Sequence, residues 1–82
     1  MSSYSVLVEV KLRPGIADPQ GATIERALPA LGFTAVHGVT VGKAIRLTID
    51  AASADAAREQ AGELCQRFLT NPVIEDAVIT VG

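Results

Sequence analysis

The chain has 82 residues, a formal net charge of −2, 49% hydrophobic side chains, one cysteine and one histidine. That length holds a single domain, residues 1–82, whose own core supplies only about 3–5 kcal/mol of stability. One cysteine excludes an internal disulfide, the lack of a basic stripe argues against nucleic acid, and no apolar run nears the roughly 20 residues of a membrane span. Burial against copies of itself or a partner is the remaining common source of stability.

"YSVLVEVKL" places Tyr4, Val6, Val8, Val10 and Leu12 on one face and Ser5, Leu7, Glu9 and Lys11 on the other, the period of a half-buried strand. Because this alternating segment carries Glu9, it does not read as a signal peptide, and the cytoplasm is the expected compartment. "RPGIADPQG" follows, with two prolines and two glycines in a stretch longer than a plain connector needs. Asp18 is placed to cap a helix that begins at Pro19. Ile24, Ala27, Leu28 and Leu31 form its apolar stripe, Pro29 should kink or end it near Leu28, and Gly32 suits a left-handed cap.

"FTAVHGVTVGKAIRLTID" predicts two strands with a tight connection near Gly42-Lys43. In the second, Ile45, Leu47 and Ile49 face inward. In the first, Val36 is out of phase with Val39 and Val41, which calls for a bulge near Gly38. Ser53 is the expected N-cap of a second helix whose buried stripe comprises Ala54, Ala57, Ala61, Leu64, Cys65 and Phe68. Asn71-Pro72 stops it, and "VIEDAVITV" supplies a last strand. The order βαββαβ predicts an α+β, two-layer ferredoxin-like sandwich with both helices on one face of an antiparallel sheet. The other face, around Leu7, and the strand edges are places for a second copy to dock.

No constellation reads as catalytic. Cys65 falls in a helix stripe, where a buried small hydrophobe outweighs a reactive thiolate. His37 has no carboxylate at fixed spacing, and the adjacent Glu75 and Asp76 point to opposite faces of a strand. Gly42-Lys43 lacks the rest of a phosphate-binding loop, and Asp18 would repel an anion at the first helix's N-terminus. A small-molecule-binding regulatory dimer of the ACT type is compatible with this topology.

The stretches "VEVKLRPGIADPQGATIERAL", "LGF", "VTVGKAIRLTI", "LCQRFLTNP" and "NPVIED" occur in that order at close spacing. From Val6 to about Val81 the chain resembles the PurS family, the small subunit of phosphoribosylformylglycinamidine synthase in purine biosynthesis. The resemblance implies a subunit of a glutamine-dependent, ATP-consuming ligase that has no catalytic residue and no cofactor of its own. ATP and Mg belong to the large synthetase subunit (PurL), and a glutaminase subunit (PurQ) releases ammonia. The small subunit, a homodimer or homotetramer, holds the two together and supports ammonia transfer.

The resemblance also places partner contacts at Arg13, Pro14, Gly15, Asp18, Pro19, Gln20, Gly21, Gly42, Lys43, Asn71, Pro72, Glu75 and Asp76. Asp18, Pro19, Gly21 and Pro72 are equally turn and cap residues. Arg13, Gln20, Lys43 and Glu75 stand out as side chains without an evident structural duty. A loop stiffened by Pro14, Gly15, Pro19 and Gly21 would lose little entropy on docking. The chain departs from the family pattern at Pro29, within the first helix, and at Ala77, where an aromatic is common.

Overall fold

β1 (Ser2–Leu12) runs between β2 (Lys43–Ala51) and β3 (Glu75–Val81) in a three-stranded antiparallel sheet of order β2-β1-β3. The structure, a computed structural model, describes residues 1–82. Alternation along β1 turns Val6, Val8 and Val10 to the covered face, where all three are buried. The register sets Val8 between Ile45 of β2 and Ile79 of β3, and it is 0% exposed. Such burial is worth about 1.5–3 kcal/mol per aliphatic side chain.

α2 (Ala54–Leu64) covers this face. Ser53 is extended, and its hydroxyl accepts from the Ala56 amide at 3.1 Å, satisfying one of the helix's free donors. Ala57 and Ala61 are fully buried, and their small side chains let the helix sit close to the valines of β1. Arg58 Nη1 donates to the Ile79 carbonyl at 3.0 Å and ties the helix to β3.

Residues Cys65–Leu69 continue α2 as one π-helical turn, with the Thr70 amide donating to the Cys65 carbonyl at 2.9 Å. The wider turn carries one more residue than an α-helical turn, so the side-chain phase slips. Leu69 packs against the core, while Phe68, expected in the buried stripe, is 82% exposed. Ala54 and Leu64 of the predicted stripe are also at the surface.

α1 (Pro19–Ala27) starts at the predicted cap and ends where Pro29 requires. A 3-10 turn, Pro29–Leu31, follows, and Gly32 closes it at φ 93°, a conformation that favours glycine.

Two expectations need correction. The segment from Phe33 to Gly42 is not a strand, so one of the four predicted strands and the hairpin at Gly42-Lys43 are absent. Gly38, where a bulge was expected, has φ 71° and breaks the alternation outright. In addition, α1 does not pack on the sheet; only α2 covers it. α1 and the returning segment form an arm projecting from the sheet's end, and Ile24, Leu31 and Phe33 are exposed on it. The molecule is therefore 53 Å long with a radius of gyration of 16.5 Å, against about 12 Å for a compact chain of this length. The class remains α+β with an antiparallel sheet, as predicted.

Candidate functional site

The antiparallel pairing gathers the predicted contact residues at one end of the sheet. Leu12, the last residue of β1, lies opposite Glu75, the first of β3, and Val10 lies opposite Lys43, the first of β2. The loop leaving β1, the start of α1 and the turn before β3 therefore meet there.

The first part of that loop is a type II turn. Ile16 donates its amide to the Arg13 carbonyl at 3.2 Å, with Pro14 and Gly15 between and Gly15 at φ 86°. Asp18 then fixes the arm. Its Oδ1 accepts from the Gly21 amide at 2.9 Å, and its Oδ2 from the Val41 amide at 2.8 Å. These two donors, with the Gln20 amide, hold the carboxyl below the ordinary Asp range despite a small opposing effect of desolvation. Gly21 is buried against the returning chain, and a Cβ there would overlap the Val39 carbonyl oxygen. Glu25 completes the clamp, its Oε1 accepting from the Val39 amide at 2.8 Å. At the arm's base, a Cβ on Gly42 would lie 2.6 Å from the Val10 carbonyl oxygen.

The turn before β3 is closed by its own groups. The Asn71 carbonyl accepts from Ile74 and Glu75, its side chain accepts from Val73 at 3.1 Å, and Glu75 Oε1 accepts from the Asn71 amide at 2.7 Å. Pro72 sits inside this turn. Arg13 joins it to the first loop: its amide donates to the Ile74 carbonyl at 2.8 Å, and Nε lies 3.3 Å from Asp76 Oδ1. Arg13 and Glu75 thus have structural duties that the sequence did not reveal. Gln20 and Lys43 form no internal side-chain hydrogen bond. Both line a groove of about 400 Å³ with Asp18, Pro19, Gly42 and Glu75.

This arrangement presents a surface and offers no obvious chemistry. Glu75 and Asp76 bond in different directions, to Asn71 and Arg13 respectively. His37 is exposed on the irregular returning segment. Cys65 is buried, which pushes its thiol pKa up and disfavours the nucleophilic thiolate. No three His, Cys, Asp or Glu side chains are grouped to bind a metal, and no helix is long and apolar enough to cross a membrane.

Residues 5–82 match the family model described as PurS, phosphoribosylformylglycinamidine (FGAM) synthase. The chain belongs to the PurS family. PurS of this synthase from Methanocaldococcus jannaschii is 38% identical over 78 residues, which make up 95% of this chain and 94% of that one. The Bacillus subtilis PurS subunit is 37% identical over 73 residues, covering 89% and 86%. Among solved structures, a chain in the structure of PurLQS from Thermotoga maritima aligns over 100% of both chains at 30% identity, with a TM-score of 0.90. Likeness of that order over the full length includes the projecting arm. PurS membership also decides between the assembly reading and a free-standing ACT-type module, in favour of the former.

Sequence reasoning missed Glu25 and the returning amides of Val39 and Val41 as parts of the site. Nothing in their spacing announces them. Their partners are set by the path of an irregular segment, which carries no periodicity.

Proposed function

We propose that this chain is the non-catalytic assembly subunit of phosphoribosylformylglycinamidine synthase. It works in the cytoplasm and joins an ATP-dependent synthetase subunit of the PurL type to a glutaminase subunit of the PurQ type. The observation that carries this reading is the full-length likeness, arm included, to a chain of the Thermotoga maritima PurLQS structure. The glutaminase releases ammonia from glutamine. The synthetase activates the amide of formylglycinamide ribonucleotide with ATP and Mg, and ammonia replaces the amide oxygen to give the amidine. Ammonia free in water would be protonated or lost, so the two sites gain from being held together. This chain supplies the coupling and binds no cofactor itself.

The clamped loops at the sheet's end support such a role, because a surface already fixed by Asp18, Arg13 and Asn71 loses little entropy on docking. Arg13 to Gly21, Gly42-Lys43 and Asn71 to Asp76 are its partner contacts in this reading, with Gln20 and Lys43 free to reach outward.

Reconstitution tests the reading. The synthetase and glutaminase subunits are assayed for glutamine-driven amidine formation with and without this chain. Activity and a co-eluting complex that need the chain support it; equal glutamine-driven turnover in its absence overturns it.

A further inference from the structure

We propose that Lys11 and Lys43 together receive an acidic segment of a partner subunit, each ammonium group pairing with a separate carboxylate. The inference rests on the assembly reading and adds to it the chemistry of the surface that is recognised. Lys11 and Lys43 are the only lysines in the chain, and the register brings both to the end of the sheet where the loops gather. Val10 lies opposite Lys43, and Lys11 is the next residue along β1. Both are exposed, and both line the same two grooves of about 400 Å³ each. One groove also holds Asp18, Gln20 and Glu75; the other holds Glu9, Ala44 and Val78.

Formal charges at this end nearly balance, but their availability does not. Asp18 commits both oxygens to the Gly21 and Val41 amides, Glu75 accepts from the Asn71 amide, and Asp76 lies 3.3 Å from Arg13 Nε. Among the carboxylates there, only Glu9 makes no internal bond. The basic side chains divide the other way. Of the seven in the chain, Arg13, Arg26, Arg58 and Arg67 each bond internally. Lys11, Lys43 and Arg46 do not, and all three lie on β1 and β2. An ammonium group carries three donors and no acceptor, so both lysines can bond only outward, to acceptors that a partner supplies.

The geometry favours a polypeptide over a free phosphate. A phosphate needs several donors converging on one point, and the nearest candidates, the Gly21 and Val41 amides, already serve Asp18. The lysines leave adjoining strands on opposite faces of the sheet, Lys11 beside Glu9 and Lys43 in line with Ile45. Asp18 and Glu75 in the groove would also repel a dianion. A segment crossing the end of the sheet instead meets the two ammonium groups one after the other, with a single carboxylate for each. Gln20, free of internal side-chain bonds, can reach its backbone, and Val78, 53% exposed, offers an apolar contact beside Lys11. Such charges at the rim of an interface steer encounter and fix register more than they add raw affinity.

Zero-length carbodiimide coupling tests this, because it joins an amine only to a carboxylate in contact with it. In the complex of the full chain with the synthetase and glutaminase subunits, Lys11 and Lys43 should couple to Asp or Glu side chains of one of those subunits. Mass spectrometry assigns each link, since the chain has no other lysine. Lys11→Gln and Lys43→Gln combined should bind that subunit about tenfold more weakly at low salt, with the melting temperature unchanged. The same variant should lose most of the parent's salt dependence, while arginine at both positions should bind like the parent. Links confined to carboxylates of this chain, in the same or another copy, overturn the proposal. A glutamine variant with parental affinity and salt response overturns it too. Saturable binding of inorganic phosphate to the chain alone, lost in that variant, would assign the lysines to a small anion and overturn it as well. A parent that binds neither subunit overturns the assembly reading along with the inference; a parent that binds both without using its lysines overturns the inference alone.

Discussion

Asp18 and Val41 stand 23 positions apart in the chain, yet the Asp18 carboxylate accepts the Val41 amide at 2.8 Å while its second oxygen caps α1 through Gly21. One ionised side chain thereby joins the two ends of the arm. Because the folded carboxyl has a lowered pKa, the clamp contributes fully above the ordinary Asp value. Its contribution falls as pH drops through the lower folded value. Amide exchange at Val41 and Gly21 should therefore stay slow from neutral pH to the ordinary carboxylate range and quicken below it, relative to intrinsic rates. Asp18→Asn should raise exchange at one or both amides already at pH 7. Unaltered protection in that variant would remove the clamp.

Gly21 and Gly42 are needed for space. A methyl group at Gly21 meets the Val39 carbonyl, and one at Gly42 meets the Val10 carbonyl, both backbone atoms that cannot simply rotate away. Alanine at either position should destabilise the arm or its base by about 1–3 kcal/mol. Denaturant unfolding and amide exchange at residues 39–41 measure this. Gly62→Ala serves as the comparison, because the nearest atom to an added Cβ is a side-chain methyl of Ile79 at 3.9 Å.

The π turn makes a paired forecast. Phe68→Ala should change stability by no more than about 0.5 kcal/mol, since Phe68 projects into solvent. Leu69→Ala, although the side chain is no larger, should cost about 2 kcal/mol through the core contacts it loses. Val8→Ala should cost a similar amount from the middle of the sheet. Thermal or denaturant melts of the three variants decide the order.

Partner binding should divide the predicted contact residues by their internal bonds. Gln20→Ala and Lys43→Ala should lower affinity for the synthetase and glutaminase subunits with the melting temperature unchanged. Arg13→Ala should act on both, because it releases the turn before β3 from the first loop. Titration calorimetry beside thermal melts separates the two effects; equal melting and equal affinity in all three would place the contact surface elsewhere.

Cys65 should resist alkylation in the folded protein at pH 8 and react once the protein is unfolded, since burial raises its pKa and removes it from solvent. Rapid labelling of the native chain would show that the end of α2 opens.

The parts of this molecule that were legible in the sequence are those governed by a local period or by backbone chemistry. The alternation of β1, the cap pair Asp18-Pro19, the stop at Pro29 and the left-handed Gly32 all follow from residue-level physics and stand as expected. Phe33 to Val41 misled for an identifiable reason: β-branched residues signal strand only where a neighbour completes the ladder, and here none is present. The α1 stripe is apolar as expected, but periodicity cannot say whether a stripe packs on the sheet, and here Ile24 and Leu31 stay exposed. Phe68 was misplaced because a π turn shifts the phase without a warning in composition. For the candidate site, the loops were identified but their internal bonding was not. The free status assigned to Arg13 and Glu75 fails against groups contributed by residues 71–76.

The register of β1 also sets an order of events during synthesis. Val8 gains Ile45 as a neighbour midway through translation, but Ile79 only after almost all the chain has left the ribosome. Until α2 and β3 emerge, β1 and β2 are a bare two-stranded ribbon, which is marginal in water. The arm, by contrast, needs nothing beyond Val41 for its clamp. It can therefore take shape early, while the sheet that anchors it is still waiting for its third strand.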